Sequence, residues 1–313
     1  MTATFDESRL RHPKERPVFI ATVLLNLALV AGALALGAYG GDWLEQHPRV
    51  AKYADGLRVT AIAAVLAPFV LTFARNRRHA AVRADSVQLS RTQIPEIYED
   101  FERMCATLRM QPPPELYVTE DAIEAPSAAY SAWHVDYVVL DVKFLEAKLD
   151  EVRDVYRFYL ARELGRIRLG HTHWFDEFLI AHVTRTPRLG TPLMHMRTYS
   201  HDRVAMTLAP DSIRGLLVQA SGRHMLKHLD VDAFLTQARE VRGWWARVAS
   251  LGRDTPRVAY RVQELERAGL LPHGTAIAVP PSGSTPPVVL GSGRDRGVPI
   301  ATPRSSTVRP RDA

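Results

Sequence analysis

The stretch Tyr159-Leu160-Ala161-Arg162-Glu163-Leu164-Gly165-Arg166-Ile167-Arg168-Leu169-Gly170-His171 decides how this chain is read. It lies inside a segment of helical patterning that runs from Phe144 to about Leu208. Positions 162 and 166 are one turn apart and share a helical face, with Glu163 between them in sequence. Two readings compete. On a solvated face, Arg162, Arg166 and Arg168 form an ordinary basic surface, and a Glu163–Arg166 pair contributes about 0.2–0.5 kcal/mol. On a buried face, the two guanidinium groups enter a cavity and need carboxylates. Glu163, on the same helix, would then be one of them.

Upstream the chain changes character. The 25 residues between Arg16 and Asp42 carry no charge. About 20 apolar residues span the hydrocarbon of a bilayer, so this run is long enough to cross with some tilt. It exceeds the 7–15 residue apolar core of a signal peptide. A second uncharged run, Val59 to Ala74, has 16 residues and includes Pro68. Arg58 and Arg75 could snorkel to extend it, and a soluble helix packed on the domain is the competing reading. The expected organisation is a short N-terminus (1–16), a two-helix transmembrane hairpin (17–78, helices about 17–41 and 57–75), and a globular domain (85–270). A Pro/Gly/Ser-rich tail (271–313) follows.

In the globular part, Ile97, Phe101, Met104, Cys105 and Leu108 define an amphipathic helix, and Pro112-Pro113-Pro114 ends it. Glu115–Val118 and Tyr137–Leu140 read as short strands. Cys105 is the only cysteine, which excludes an intrachain disulfide and a cysteine zinc ribbon, and makes buried packing its expected role. From Pro272 onward, 8 of the 21 prolines fall in 42 residues without a patterned core, a composition that predicts disorder. The net charge of +6 is local. Arg75, Arg77, Arg78 and Arg83 carry +4 and the tail +3, leaving −1 for the remainder. A nucleic-acid-binding domain would gather its excess on a folded face, so no nucleic-acid partner is expected.

In zinc hydrolases of the His-Glu-x-x-His type, two histidines at i and i+4 hold the metal and the intervening Glu acts as general base. Residues 162–166 keep that frame with arginine at both histidine positions. The segment resembles the HtpX-like family of membrane-anchored zinc metallopeptidases, whose helix reads like Ala-His-Glu-Leu-Gly-His-Ile-x-x-Gly-His. The resemblance extends in order from about Ile94 to Leu270. Pro113–Val118 resembles the strand that opens the family's catalytic domain. Ala125–Tyr130 is similar to its edge strand, with Ser127 or Pro126 near the usual Asn, and Tyr137–Leu145 to the segment after it. Tyr199-Ser200-His201-Asp202-Arg203 resembles the helix of the third ligand, and Asp254-Thr255-Pro256 with Arg257, Arg261 and Leu265 the closing helix.

The resemblance implies a mainly α fold with a small β-sheet, an α+β zincin-like arrangement behind the transmembrane hairpin. It places the general base on Glu163, the orienting second-layer carboxylate on Asp202, and the three ligands on Arg162, Arg166 and Thr198. Zinc needs lone pairs, whereas guanidinium is a fixed cation with donors only. No metal or other cofactor is therefore expected, and the proteolytic chemistry should be lost. The expectation is a pseudopeptidase that binds polypeptides or membrane-protein partners. The alternative is an active zinc endopeptidase with relocated ligands, for which His171, His173, His195 and His201 are the candidates. Lys and Arg near the membrane ends predict that both termini and the domain face the cytoplasm of a bacterial plasma membrane.

Overall fold

The uncharged N-terminal stretch forms one continuous helix, α2 (Glu15–Glu45), in a computed structural model, after a single turn α1 (Glu7–Leu10). The structure describes residues 7–45, 54–120, 127–132, 135–144, 149–186, 188–222, 225, 228–248, 250 and 252–271. Pro126 and almost all of the Pro-rich tail lie outside this set. Among the described residues α2 alone is long and apolar enough to cross a membrane, over the 21 residues Glu15–Ala35 with mean hydropathy 2.4. The second uncharged run lies on α3 (Ala54–Asp85), which packs against α2. The helix continues through Arg75, Arg77, Arg78 and Arg83 instead of ending near position 75.

The first turns of α2 belong to the globular domain. Glu15, Thr22 and Asn26 are buried along one stripe, while Ile20, Leu24 and Leu27 are exposed. Asn26 Oδ1 accepts from the backbone N–H groups of His182 at 3.0 Å and Val183 at 3.2 Å. Leu10 and His12, expected in a separate N-terminal segment, are buried as well. The described residues all fall in one compact unit.

The remaining elements are β1 (Val87–Gln88), α4 (Pro95–Thr107), β2 (Glu115–Thr119), β3 (Ser127–Ser131), β4 (Asp136–Asp141), α5 (Leu149–Arg168) and α6 (Trp174–Arg185). They continue with α7 (Thr191–Leu208), α8 (Ile213–Ser221), α9 (Val231–Glu240), α10 (Trp244–Val248) and α11 (Val258–Arg267). The fold is mainly helical with one small mixed sheet, ordered β1-β2-β4-β3. β2 and β4 pair in parallel, and β1 and β3 close the two edges antiparallel. The buried pattern of β2 and β4 matches their apolar runs, because both strands are central. α4 buries Ile97, Phe101, Met104 and Cys105, as its periodicity predicts, and burial pushes the Cys105 thiol up to about 12. Trp244 and Trp245 are exposed, 63% and 76%, and meet edge-on instead of entering the core.

The central helix α5 packs against α7, α8 and β3. Phe158, Leu160, Ala161 and Leu164 are fully buried, so three sides of this helix are covered. Gly165 is where α7 comes closest: a Cβ there would sit 2.8 Å from Val204 Cβ. That contact is with the rigid base of a β-branched side chain, which cannot swing aside. Gly165→Ala is therefore expected to lower stability by about 1–3 kcal/mol through overpacking, read by denaturant unfolding in detergent.

Candidate functional site

Helix α5 carries Arg162, Glu163 and Arg166 into a cleft of about 450 Å³. Ser127 enters from edge strand β3, Ile180 and Thr184 from α6, and Arg197, Thr198 and His201 from α7. The structure thus brings to one cleft the positions assigned to the base and all three ligands, together with the edge strand. Asp202 stands directly behind it, fully buried.

Glu163 is likewise fully buried, and its carboxylate is shared among three donors. Arg166 Nη1 meets Oε2 at 3.1 Å, Arg162 Nη1 lies 3.5 Å from Oε1, and Ser127 Oγ donates to Oε1 at 3.1 Å. Arg162 Nε also lies 3.4 Å from Asp202 Oδ1, so one guanidinium bridges both carboxylates. The face is the buried one, and the Glu163–Arg166 pair lies inside it. Arg168 points elsewhere, to the carbonyl of Leu108 at 3.1 Å and to Glu7.

The bidentate partner of Asp202 is Arg261, on α11. Its Nε and Nη2 each donate to Asp202 at 2.6 Å, both residues have no exposed side-chain surface, and Nη1 donates to Gln219. The sequence offered Arg261 only as part of the closing helix. Nothing local marks an arginine 59 positions away as the partner of Asp202.

The four candidate histidines do not converge. His171 and His201 do meet, with Nδ1 and Nε2 2.7 Å apart, and both are buried. His171 Nε2 continues to Glu15 Oε1 at 2.8 Å, and Glu15 also accepts from Ser200 and pairs with Arg11. His173 is exposed on the same turn, while His195 Nε2 contacts the carbonyl of Arg253 at 2.8 Å. Among the described residues no group of three or more His, Cys, Asp or Glu side chains is placed to hold a metal ion. The contribution of Glu15 was not visible in the sequence, where it reads as the last acidic residue before an apolar helix.

Burial holds the His171 imidazole down at about 4, with Glu15 opposing and Arg197 and Arg11 reinforcing. Burial likewise depresses His201 well below its ordinary range, helped by His171 and by Arg166, Arg162 and Arg197. Both rings are neutral at pH 7.

The residues at the three positions that the resemblance assigns to ligands do not fit zinc. Two guanidinium groups stand where imidazole lone pairs would be needed, and Thr198 donates its hydroxyl to the carbonyl of Met194 at 2.8 Å. No family model matches this chain, and no curated protein and no solved structure matches it significantly.

Two measurements test this arrangement. Asp202→Ala strands Arg261 as an uncompensated buried cation and is expected to lower stability by about 3–5 kcal/mol in denaturant unfolding. Acid should also destabilise the fold through His171. Its folded pKa lies below the unfolded value, so the unfolded chain binds more protons between pH 6.5 and about pH 4. Stability therefore falls as pH drops through that window, and the thermal midpoint of His171→Gln is expected to fall less.

Proposed function

We propose that this chain is a membrane-anchored, metallopeptidase-like protein that has exchanged its metal for guanidinium groups. It acts by holding polypeptide or membrane-protein partners, without cleaving them. The observation that carries the reading is the engagement of Glu163 by Arg162, Arg166 and Ser127. A general base must reach a water with a free carboxylate oxygen, and both oxygens of Glu163 are already taken up by donors. Arg162, Arg166 and Thr198 offer no set of lone pairs that would hold a metal and lower the pKa of a bound water.

Two features support a binding role. β3 lies at the edge of the sheet, where an extended peptide can add as a further strand, and Ser127 on it lines the cleft. In this reading α2 is the anchor and α3 a second span, and the Lys and Arg distribution favours a domain on the cytoplasmic side of a bacterial plasma membrane.

Metal content by mass spectrometry of the detergent-purified chain tests the proposal. The wild type is expected to hold no stoichiometric metal after dialysis and to leave casein intact. The triple variant Arg162→His/Arg166→His/Thr198→Glu is expected to retain stoichiometric zinc, because it restores lone-pair donors at positions that line one cleft. Stoichiometric zinc in the wild type would overturn the pseudopeptidase reading and direct the search to His171 and His201. A triple variant that takes up no zinc would remove the zincin-like geometry itself.

A further inference from the structure

The cleft holds more positive charge than its own carboxylates answer. Arg162, Arg166, Arg185 and Arg197 line it, against Glu163, Glu177 and Asp254. Two of those three carboxylates are already engaged. Glu163 is shared by Arg162 and Arg166, and Glu177 is held by Arg75 of α3 at 2.5 Å.

Arg197 is the group left over. It is 6% exposed and lines the cleft. Among the described residues no hydrogen bond or ion pair engages its guanidinium, whose near neighbour is the Phe19 ring at 5.6 Å. Taking a guanidinium out of water without a partner is unfavourable, and a cation over one aromatic face recovers only part of that. Burial lowers the Arg197 pKa, and Glu15, Asp176 and Glu177 oppose that shift from a distance without a hydrogen bond or ion pair. A side chain kept in such a state is explained if a ligand completes it.

We infer that the cleft binds a phosphate-bearing anion, with its oxygens on Arg197, on the free edge of Arg166 and on Arg185 at the rim. The three guanidinium groups come from three helices, α7, α5 and α6, around one space. They offer forked donors to a tetrahedral group with several acceptor oxygens, which a planar carboxylate fills less completely. The volume lies within the range of about 300–1,000 Å³ typical of small-molecule sites, larger than a bare phosphate requires.

The depth of the site bears on the source of the phosphate. Phe19, beneath Arg197, is the third residue of the uncharged stretch that begins after Arg16. With α2 read as a span, that level is where hydrocarbon gives way to lipid phosphates. A phospholipid headgroup and a soluble phosphate ester present the same chemistry to the cleft. The lipid source alone depends on the membrane reading of α2, and none of this depends on the zinc result.

The test uses the full chain in a neutral detergent at constant ionic strength. It is titrated separately with inorganic phosphate and with a short-chain phosphatidylglycerol, and unfolding is followed thermally. The midpoint is expected to rise saturably with at least one of them, and the apparent affinity to fall at least tenfold in Arg197→Gln. A response to phosphatidylglycerol alone assigns a lipid headgroup, whereas a response to inorganic phosphate assigns recognition of the phosphate itself. Lys143→Gln, an exposed charge outside the cleft, should titrate like the wild type. Without ligand, Arg197→Gln is expected to unfold at the same or a higher temperature, because it removes a buried cation that no hydrogen bond or ion pair holds. That outcome separates a ligand-binding arginine from a structural one. If Arg197→Gln does not fold, the exposed Arg185→Gln decides in its place, with a severalfold loss expected. The absence of a saturable response, or a response undiminished in the arginine variants, would overturn the proposal.

Discussion

A carboxylate leaves water only when its charge is met by opposite charge and hydrogen bonds, and Glu163 and Asp202 have both left it completely. The arrangement of the helices around α5 follows from that demand. Asp202 draws Arg261 inward and so fastens α11 to α7; Glu163 fixes the rotamers of Arg162 and Arg166 on its own helix and reaches Ser127 on the sheet edge. Arg162 touches both acids and joins the two sets. Ion pairs of this kind seldom add net stability over a well-packed apolar core. They are nevertheless directional, and removing one partner exposes the full penalty of burying the other.

Some of this is legible in the amino-acid sequence. The shared face of positions 162 and 166 follows from helix periodicity alone, and so does the apolar face of α4. The strands β2 and β4 were legible because the short apolar runs Leu116–Val118 and Tyr137–Leu140 have few other uses. The extent of α3 was not. Its arginines after position 75 are compatible with helix and give no stop signal, so the boundary lay eleven residues beyond the end of the apolar run.

Other features were hidden for a different reason. Arg261 and Glu15 take part through contacts 59 and 156 positions away in sequence, and no local pattern encodes such partners. Asn26 shows the same limit in milder form. Within an apolar run it reads as a tolerated polar residue, yet it accepts two backbone hydrogen bonds from α6. The histidines illustrate the reverse case, in which proximity in sequence misleads: His171 and His173 share a turn, but one is buried and the other faces solvent.

The docking of Asn26 on α6 has a mechanical side. One helix serves both as the apolar segment and as a wall of the domain, with no linker between the two roles. Arg197 of the cleft rests on Phe19 of that same helix, so the cleft has a set height along the α2 axis. With α2 as the proposed membrane anchor, a hinged joint would let the domain sweep a volume of solution, whereas a rigid post keeps the cleft in one plane. Whatever reaches it must come to that plane, which favours segments close to where α2 emerges over chains presented from far into the solvent.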